Sequence, residues 1–573
     1  MLNDALKGFT LDQDKIIPPG ETVARFNKKI KSLDLDILEQ TMRIDNGRLD
    51  IPVFFSTCGK DALSTIGTQK QMGKGATPEQ AEASAVMELA ERFSFFSFYK
   101  NPDNFVTRQY KTIEKEAAIS FELIAKSVHD TSGDLDISRK IFENLPLKWA
   151  WGYNLSTGTE MLVPLNWFYT INEFNGPSAG NCVEEAICQG ISELVERHVC
   201  SIVSHSKVQT PHIRPESATD PAVKELLAKY EKAGIRLYLS DFTLDMGIPT
   251  VGVLAYDPST FPQKSEIVWT AGTTPDPEKA LSRALTETAQ LAGDFNSGSN
   301  YLASGLPKFT TLEDAAFVMK SDCILDIQDL PNLSHQNIKI EVENCLAALK
   351  KRDLELIVVD TTHPLLKIPA FYGILPGARF RERAMGTSVA MFSAKIAMES
   401  LPSKHALSML YKMDNLLPGK YYTHFYIGLI HLNTHDLQTA LDCFQTAMKL
   451  EPTLQDIPAI YAYMAVCLKD MGKYREALDL LKKGEAYDNE RTDIYNLMGF
   501  CHFKLKNHEE AITNFKRVIA LDPSSAIDYA NIASNYRDLG KKDEAVRYYK
   551  LALELDPSID FANDNLKRLM TGK

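Results

Sequence analysis

Apolar positions follow two rhythms along the chain, and the rhythm changes near residue 400. Before it, short apolar runs such as "IPVFF" (51–55), "GIRLYLSDF" (234–242), "IPTVGVLAYD" (248–257), "ELIVVDTT" (355–362) and "IPAFYGILPG" (368–377) are bounded by Gly, Pro or Asp. Their lengths and ends predict buried strands. Between them, 79–98, 183–204, 277–293 and 383–398 carry apolar residues at helical spacing. Strands alternating with helices predict an α/β (α+β) domain over 1–400, with the polar stretch 108–147 as a peripheral elaboration.

After residue 418 the chain repeats itself. Gly428, Ala465, Gly499 and Ala533 recur at spacings of 37, 34 and 34, and Ala440, Ala477, Ala511 and Ala545 follow the same spacings. Small residues let two antiparallel helices approach closely, and a closing Glu-Pro or Asp-Pro ends the second helix of most units. The period resembles the tetratricopeptide repeat, so 418–573 is expected to be an all-α solenoid, with "SIDFANDNLKRLMTGK" as its capping helix and a groove for a partner protein. Residues 401–417 are expected to link it to the first domain.

Composition narrows the function. A net charge of −12 argues against bulk nucleic-acid binding, which needs a surplus of Lys and Arg. The N-terminus "MLNDALKGFTLDQDK" lacks the apolar core of a signal peptide, and no apolar run reaches the roughly 18 residues needed to cross a bilayer. The nine cysteines are scattered, with no CxxC pair. A cytoplasmic chain with no nucleic-acid or membrane partner is expected.

The segment "GTQKQMGKG" approaches a phosphate-binding loop but fails it. Five residues separate Gly67 from Gly73, and Lys74 is followed by Gly75 rather than Ser or Thr. The helix after it is more telling. At about 100° per residue, Ser84, Glu88 and Glu91 share one face, while Val86, Leu89 and Phe93 occupy others. A second helix aligns Glu185, Gln189, Glu193 and Glu196; a third aligns Arg283, Glu287, Gln290 and Asp294. One such helix reads as a solvated acidic face. Three apolar helices with matched stripes point instead to carboxylates gathered around a hard cation. Arg92, Arg197 and Arg283 would match phosphate oxygens. ATP held through Mg²⁺, with Lys74 near it but not its main cradle, is the expected ligand.

"GKGATPEQAEASAVMELAER", "SAGNCVEEAICQGISELVER", "PEKALSRALTE" and "IPAFYGILPG" resemble, in order, the motifs of the YcaO family, and they span most of residues 1–400. The tail and "ARF" (24–26) are further similar to its bacterial members with tetratricopeptide repeats. The resemblance implies ATP-dependent activation of a peptide backbone amide, whose oxygen attacks the γ-phosphate. The activated amide then takes a nucleophile, giving an azoline from Cys, Ser or Thr, or a thioamide from a sulfide source. It implies Glu88, Glu91, Glu193 and Glu196 as Mg²⁺ ligands. Ser84, Asn181, Glu185, Gln189, Arg197, Arg283 and Glu287 would contact nucleotide, and Glu193, Arg197 and Arg283 are the candidate catalytic residues. Lys15 and Thr22 match a lysine and a hydroxyl of the family's nucleotide site. Many azoline-forming relatives end in a Pro-rich PxPxP tail, whereas this chain ends in "RLMTGK", and no substrate-presenting domain is fused to it; both weaken the azoline reading and favour the non-azoline branch, with a thioamide more expected than an azoline. Where many relatives have Asp after the second Glu-Arg, this chain has His198, which is read as structural. The resemblance also implies a homodimer, and as an alternative an accessory role in methylthiolation of a ribosomal protein by a radical enzyme.

Overall fold

The computed structural model describes residues 2–67, 70–113, 117–298, 301, 305–380 and 387–571. They form two compact units, Met1–Leu135 with Glu143–Val389, and Asp136–Phe142 with Ala390–Lys573.

The first unit carries three sheets. Strands Leu38–Arg43, Val53–Cys58 and Lys70–Lys74 form an antiparallel ribbon, with Val53 opposite Lys74 and Phe54 opposite Gly73. A five-stranded sheet runs in the order Val268–Thr273, Thr250–Tyr256, Arg236–Asp241, His212–Ile213 and Ile324–Leu325. A six-stranded sheet takes Val106–Gln109, Pro146–Asn154, Ile357–Asp360, Ala370–Ile374 and Pro177–Ala179 in that order, with Thr159–Pro164 paired to Pro146–Asn154. Each expected apolar run is a strand here. The helices Pro78–Lys100, Val183–Ser206 and Pro277–Ala292 match the three striped segments. Part of the expected 383–398 helix lies outside the described residues, and Val389–Ser400 is helical.

Two apolar clusters hold the striped helices in place. Val86, Leu89, Ala90 and Phe93 pack with Phe26 and Ile30 of the helix Pro19–Leu33. Leu281, Ala284 and Leu285 pack on Val251, Val253 and Val268 of the five-stranded sheet. Each buried Val, Leu, Ile or Phe among them contributes about 1.5–3 kcal/mol.

Within 108–147, the described residues that belong to the first unit, up to Leu135 and from Glu143, are built into its fold rather than peripheral. Strand Val106–Gln109 pairs with Pro146–Asn154, and Tyr110, Ile113, Ile119, Phe121 and Ile124 are buried. The apolar residues here are spaced irregularly among Lys and Glu, which hid their inward direction.

The second unit is a run of paired helices. Tyr421–Asn433 with Leu437–Lys449, Ile457–Asp470 with Tyr474–Glu485, Thr492–Lys504 with His508–Leu521, and Ala526–Asp538 with Lys542–Leu555 follow the sequence period. Ala440, Ala477, Ala511 and Ala545 are wholly buried, as close helix packing requires. Asp560–Thr571 closes the run. The stretch 401–417 holds a helix, Ser403–Leu416, whose Ala406, Leu410 and Met413 share an apolar cluster with Tyr422 and Tyr426.

Candidate functional site

Three strand-to-helix units build the site with one device. Strand Lys70–Lys74 leads into Pro78–Lys100, where the N-cap Thr77 hydroxyl accepts the Gln80 N–H at 3.2 Å. Strand Pro177–Ala179 leads into Val183–Ser206, capped by Cys182. Strand Val268–Thr273 leads into Pro277–Ala292, where Asp276 accepts the Glu278 N–H at 2.9 Å. The helices lie very close to their strands. A Cβ on Gly73 would stand 2.1 Å from the Ala85 nitrogen, and one on Gly272 2.3 Å from the Ala280 carbonyl oxygen. Glycine is there because backbone meets backbone.

The three striped faces surround one cavity of about 270 Å³. The first helix lends Ser84, Glu88, Glu91 and Arg92; the second Glu185, Gln189, Glu193 and Arg197; the third Arg283, Glu287 and Gln290. Lys74, Asn181, Lys15 and Thr22 complete the wall. Two expected members are elsewhere. Asp294 leaves the stripe because the helix stops at Gly293, left-handed at φ 50°, and its buried carboxylate accepts the Asn46 N–H at 2.9 Å and the Arg48 N–H at 3.2 Å. Glu196, 1% exposed, sits behind the wall: its Oε2 accepts the Thr273 N–H at 3.2 Å and lies 3.5 Å from Arg283 Nε.

The carboxylates lean on arginines instead of on one another. Arg92 is 3.8 Å from Glu88 and 3.6 Å from Glu91; Arg197 is 3.9 Å from Glu193 and 3.4 Å from Glu196. Among the described residues no three His, Cys, Asp or Glu side chains converge as a metal-binding group. Like charges in a buried wall repel, and each takes the nearest guanidinium. Burial raises the carboxyls of Glu88 and Glu91, Glu91 well above its usual range; Arg92 opposes this, while the charge of Glu193 adds to it. For Arg92 and Arg197 burial acts downward, but the neighbouring carboxylates outweigh it and raise both guanidiniums. Even so, among the described residues Arg92 Nη1 and Arg197 Nε are buried without a hydrogen-bond partner. Burial, then the charge of Arg283, lowers Lys74 to about 7, and its Nζ contacts Glu287 as counter-ion.

Other side chains fix the cavity's shape. Glu185 accepts the Ile16 N–H at 2.6 Å through Oε1, and the Asn181 N–H and Nδ2 at 2.9 and 3.0 Å through Oε2. Thr22 Oγ1 donates to Asn181 Oδ1 at 3.1 Å. These bonds bring the N-terminal segment to the second helix. His198 Nδ1 accepts the Arg379 N–H at 2.9 Å in a buried setting, a structural role. Sequence reasoning missed Gln13 in the wall, and Asp12, whose Oδ2 accepts the Ala76 N–H at 2.8 Å. The polar run "LDQDK", which ends in Lys15, was the available signal.

Residues 72–379 match the family described as YcaO cyclodehydratase, ATP- and Mg²⁺-binding, over more than half of the chain. Residues 423–529 match the tetratricopeptide domain of cytochrome c-type biogenesis protein H, and 529–559 a tetratricopeptide repeat. An uncharacterized protein of Methanothermobacter thermautotrophicus is 28% identical over 385 residues, covering 63% of this chain and 94% of its own. The ribosomal protein S12 methylthiotransferase accessory factor YcaO of Escherichia coli K12 is 25% identical over 392 residues, covering 62% of this chain; the match spans 64% of that relative. Two solved structures share the fold. A heterocyclase in complex with substrate and cofactor has a TM-score of 0.56 at 22% identity, over 68% of this chain and 55% of its own. YcaO from Methanopyrus kandleri, bound with AMPPCP and Mg²⁺, has a TM-score of 0.50 at 23% identity, over 66% of this chain and 95% of its own. With three motif-bearing helices around one cavity and the family match across them, the chain belongs to the YcaO family.

Proposed function

We propose that the first unit binds Mg·ATP and uses it to O-phosphorylate a backbone amide of a protein or peptide, with a thioamide as product rather than an azoline. The observation that carries this is the meeting of the three striped helix faces around one cavity. The residues present fit a polyphosphate with a divalent cation. Among the described residues Arg92, Arg197 and Arg283 hold buried donors without a hydrogen-bond partner, and Glu88 and Glu91 are half-buried carboxyls, raised by desolvation, that a cation would relieve. Glu88, Glu91, Glu193 and Glu196 would hold the metal, and Glu196 would have to swing from Thr273 to reach it. Mg²⁺, when bound, would neutralise phosphate charge.

The chain's own groups do the rest. Arg92, Arg197 and Arg283 would bind phosphate oxygens, and Arg283 and Glu193 orient the γ-phosphate toward the amide. Lys15, Thr22, Ser84, Asn181, Gln189 and Glu287 position the nucleotide, while Glu185 fixes the segment that carries Lys15. The helical-repeat unit would recruit the substrate or a partner protein. We place the protein in the cytoplasm, a reading supported by nine unbridged cysteines and by the lack, among the described residues, of a helix long and apolar enough to cross a membrane.

The test is phosphate release from ATP with and without proteins captured on the repeat unit, followed by mass spectrometry of those proteins. Peptide-dependent turnover with replacement of oxygen by sulfur supports the proposal. ATP binding without turnover supports a second reading, favoured by the similarity to the Escherichia coli methylthiotransferase accessory factor: an ATP-binding accessory factor for ribosomal protein methylthiolation.

A further inference from the structure

The N-terminal segment is pinned across the site by charged side chains that the nucleotide reading leaves unused. Lys279, in the first turn of the third striped helix, is only 7% exposed. Its Nζ donates to the Thr10 carbonyl at 2.6 Å, to the Leu11 carbonyl, and to Asp220 Oδ2 at 3.2 Å. A buried ammonium spends its donors on two successive backbone carbonyls more than 260 residues away in sequence. Further pins flank it. Lys7 Nζ binds Asp14 at 2.8 Å and Glu341 at 2.6 Å, and Asp12 accepts the Ala76 N–H. A second cavity of about 60 Å³, lined by Gln13, Lys15, Lys279 and Arg283, adjoins the first.

We propose that Lys279 is a positioning residue for the nucleotide site: by holding the carbonyls of Thr10 and Leu11 it sets the strap that carries Gln13 and Lys15 into the wall. This rests on the Mg·ATP reading above. One turn beyond Lys279 on the same helix, Arg283 faces the cavity, so a single helix orients one wall directly and the opposing strap through Lys279. The remaining pins, Lys7 with Glu341 and Asp12 with Ala76, keep the segment attached when Lys279 is lost, which separates its placement from the fold as a whole.

Lys279→Met keeps the apolar stem and removes the donors; Lys279→Arg keeps donors. The probe is Mg·AMPPCP, titrated calorimetrically into the full chain, alongside hydrogen exchange of the amides of Gly8, Phe9 and Ile16. Those amides bond to Lys15 and Glu185. Lys279→Met is expected to bind AMPPCP at least about tenfold more weakly, with faster exchange at the three amides, and Lys279→Arg to restore most of both. A merely structural role would lower the melting temperature and leave the affinity of the folded protein unchanged. Wild-type affinity in Lys279→Met, or unchanged exchange at the strap amides, overturns the proposal. Failure of the unsubstituted chain to bind AMPPCP removes the nucleotide reading itself and this role with it, whereas the exchange measurement reports the pin independently.

Discussion

Arg283 Nη1 donates to Gln189 Oε1 at 3.3 Å, tying the third striped helix to the second across 94 residues. Behind it, Arg283 Nε faces Glu196 Oε2, which also takes the Thr273 N–H. Both partners lie on the second striped helix, so the guanidinium is held from that helix, with the Thr273 strand end fixing Glu196 behind it.

Glu91→Gln and Glu196→Gln should each weaken Mg²⁺-dependent AMPPCP binding by tenfold or more, roughly the scale seen for groups that hold or orient metal ligands. Calorimetry with and without Mg²⁺ measures it. Unchanged Mg²⁺ dependence in both variants would remove the metal assignment.

Lys74 should matter as the partner of Glu287 more than as a phosphate cradle. Lys74→Met leaves the half-buried Glu287 without its partner, at a cost of about 1–3 kcal/mol, and adding Glu287→Gln should recover most of it. Denaturant unfolding of the cycle gives the coupling. AMPPCP affinity should fall less in Lys74→Met than in Glu91→Gln. Complete loss of binding in Lys74→Met, with Glu91→Gln silent, would return the lysine to the centre of the site.

Acid should destabilise the first unit through His198. Burial, followed by the charge of Arg379, lowers its folded pKa to about 4, against 6.5 for an unperturbed histidine. Between these values the unfolded chain takes the proton and the folded one does not, so stability falls as pH drops through 6.5 toward 4. The full effect is about 3 kcal/mol. His198→Asn, which keeps an acceptor for the Arg379 N–H, should flatten this part of the stability profile. An unchanged slope would show that other groups carry the acid sensitivity.

Gly73→Ala should destabilise the first unit by about 3 kcal/mol, because the new methyl meets backbone atoms that cannot turn aside. Ala at the exposed Gly20, where nothing lies within 4 Å, is the control. Equal melting temperatures for the two variants would contradict the close packing of strand and helix.

Substitution within the repeats should leave nucleotide binding alone. Tyr463 and Asn496 line a cavity of about 440 Å³ in the second unit, where Asn496 Nδ2 donates to Asp528 at 2.7 Å. Tyr463→Ala and Asn496→Ala should keep AMPPCP affinity within about twofold while reducing capture of partner proteins, since repeats pack on their nearest neighbours. A large loss of AMPPCP affinity would give the repeats a part in the nucleotide site.

Local patterning along the chain was enough to read the elements and most of the side chains that line the cavity. Helical spacing put Glu88 with Glu91 on one face and Glu193 with Glu185 and Gln189 on another, because that periodicity is a local property of the backbone. The repeat was legible for the same reason, its packing being between neighbours in sequence. Tertiary structure alone decided what those faces meet. No local rule says that Glu196 turns to Thr273, that Lys74 finds Glu287, or that Lys279 holds Thr10 and Leu11, since each pairing joins segments far apart in the chain. Asp294 marks the boundary between the two kinds of knowledge. Its spacing continued the stripe, but the left-handed turn at Gly293 ended the helix and sent the carboxylate to Asn46 and Arg48. The glycines show the same division: "GKG" read as a failed phosphate loop, whereas Gly73 is required by the backbone of Ala81 and Ala85, a neighbour that only folding supplies.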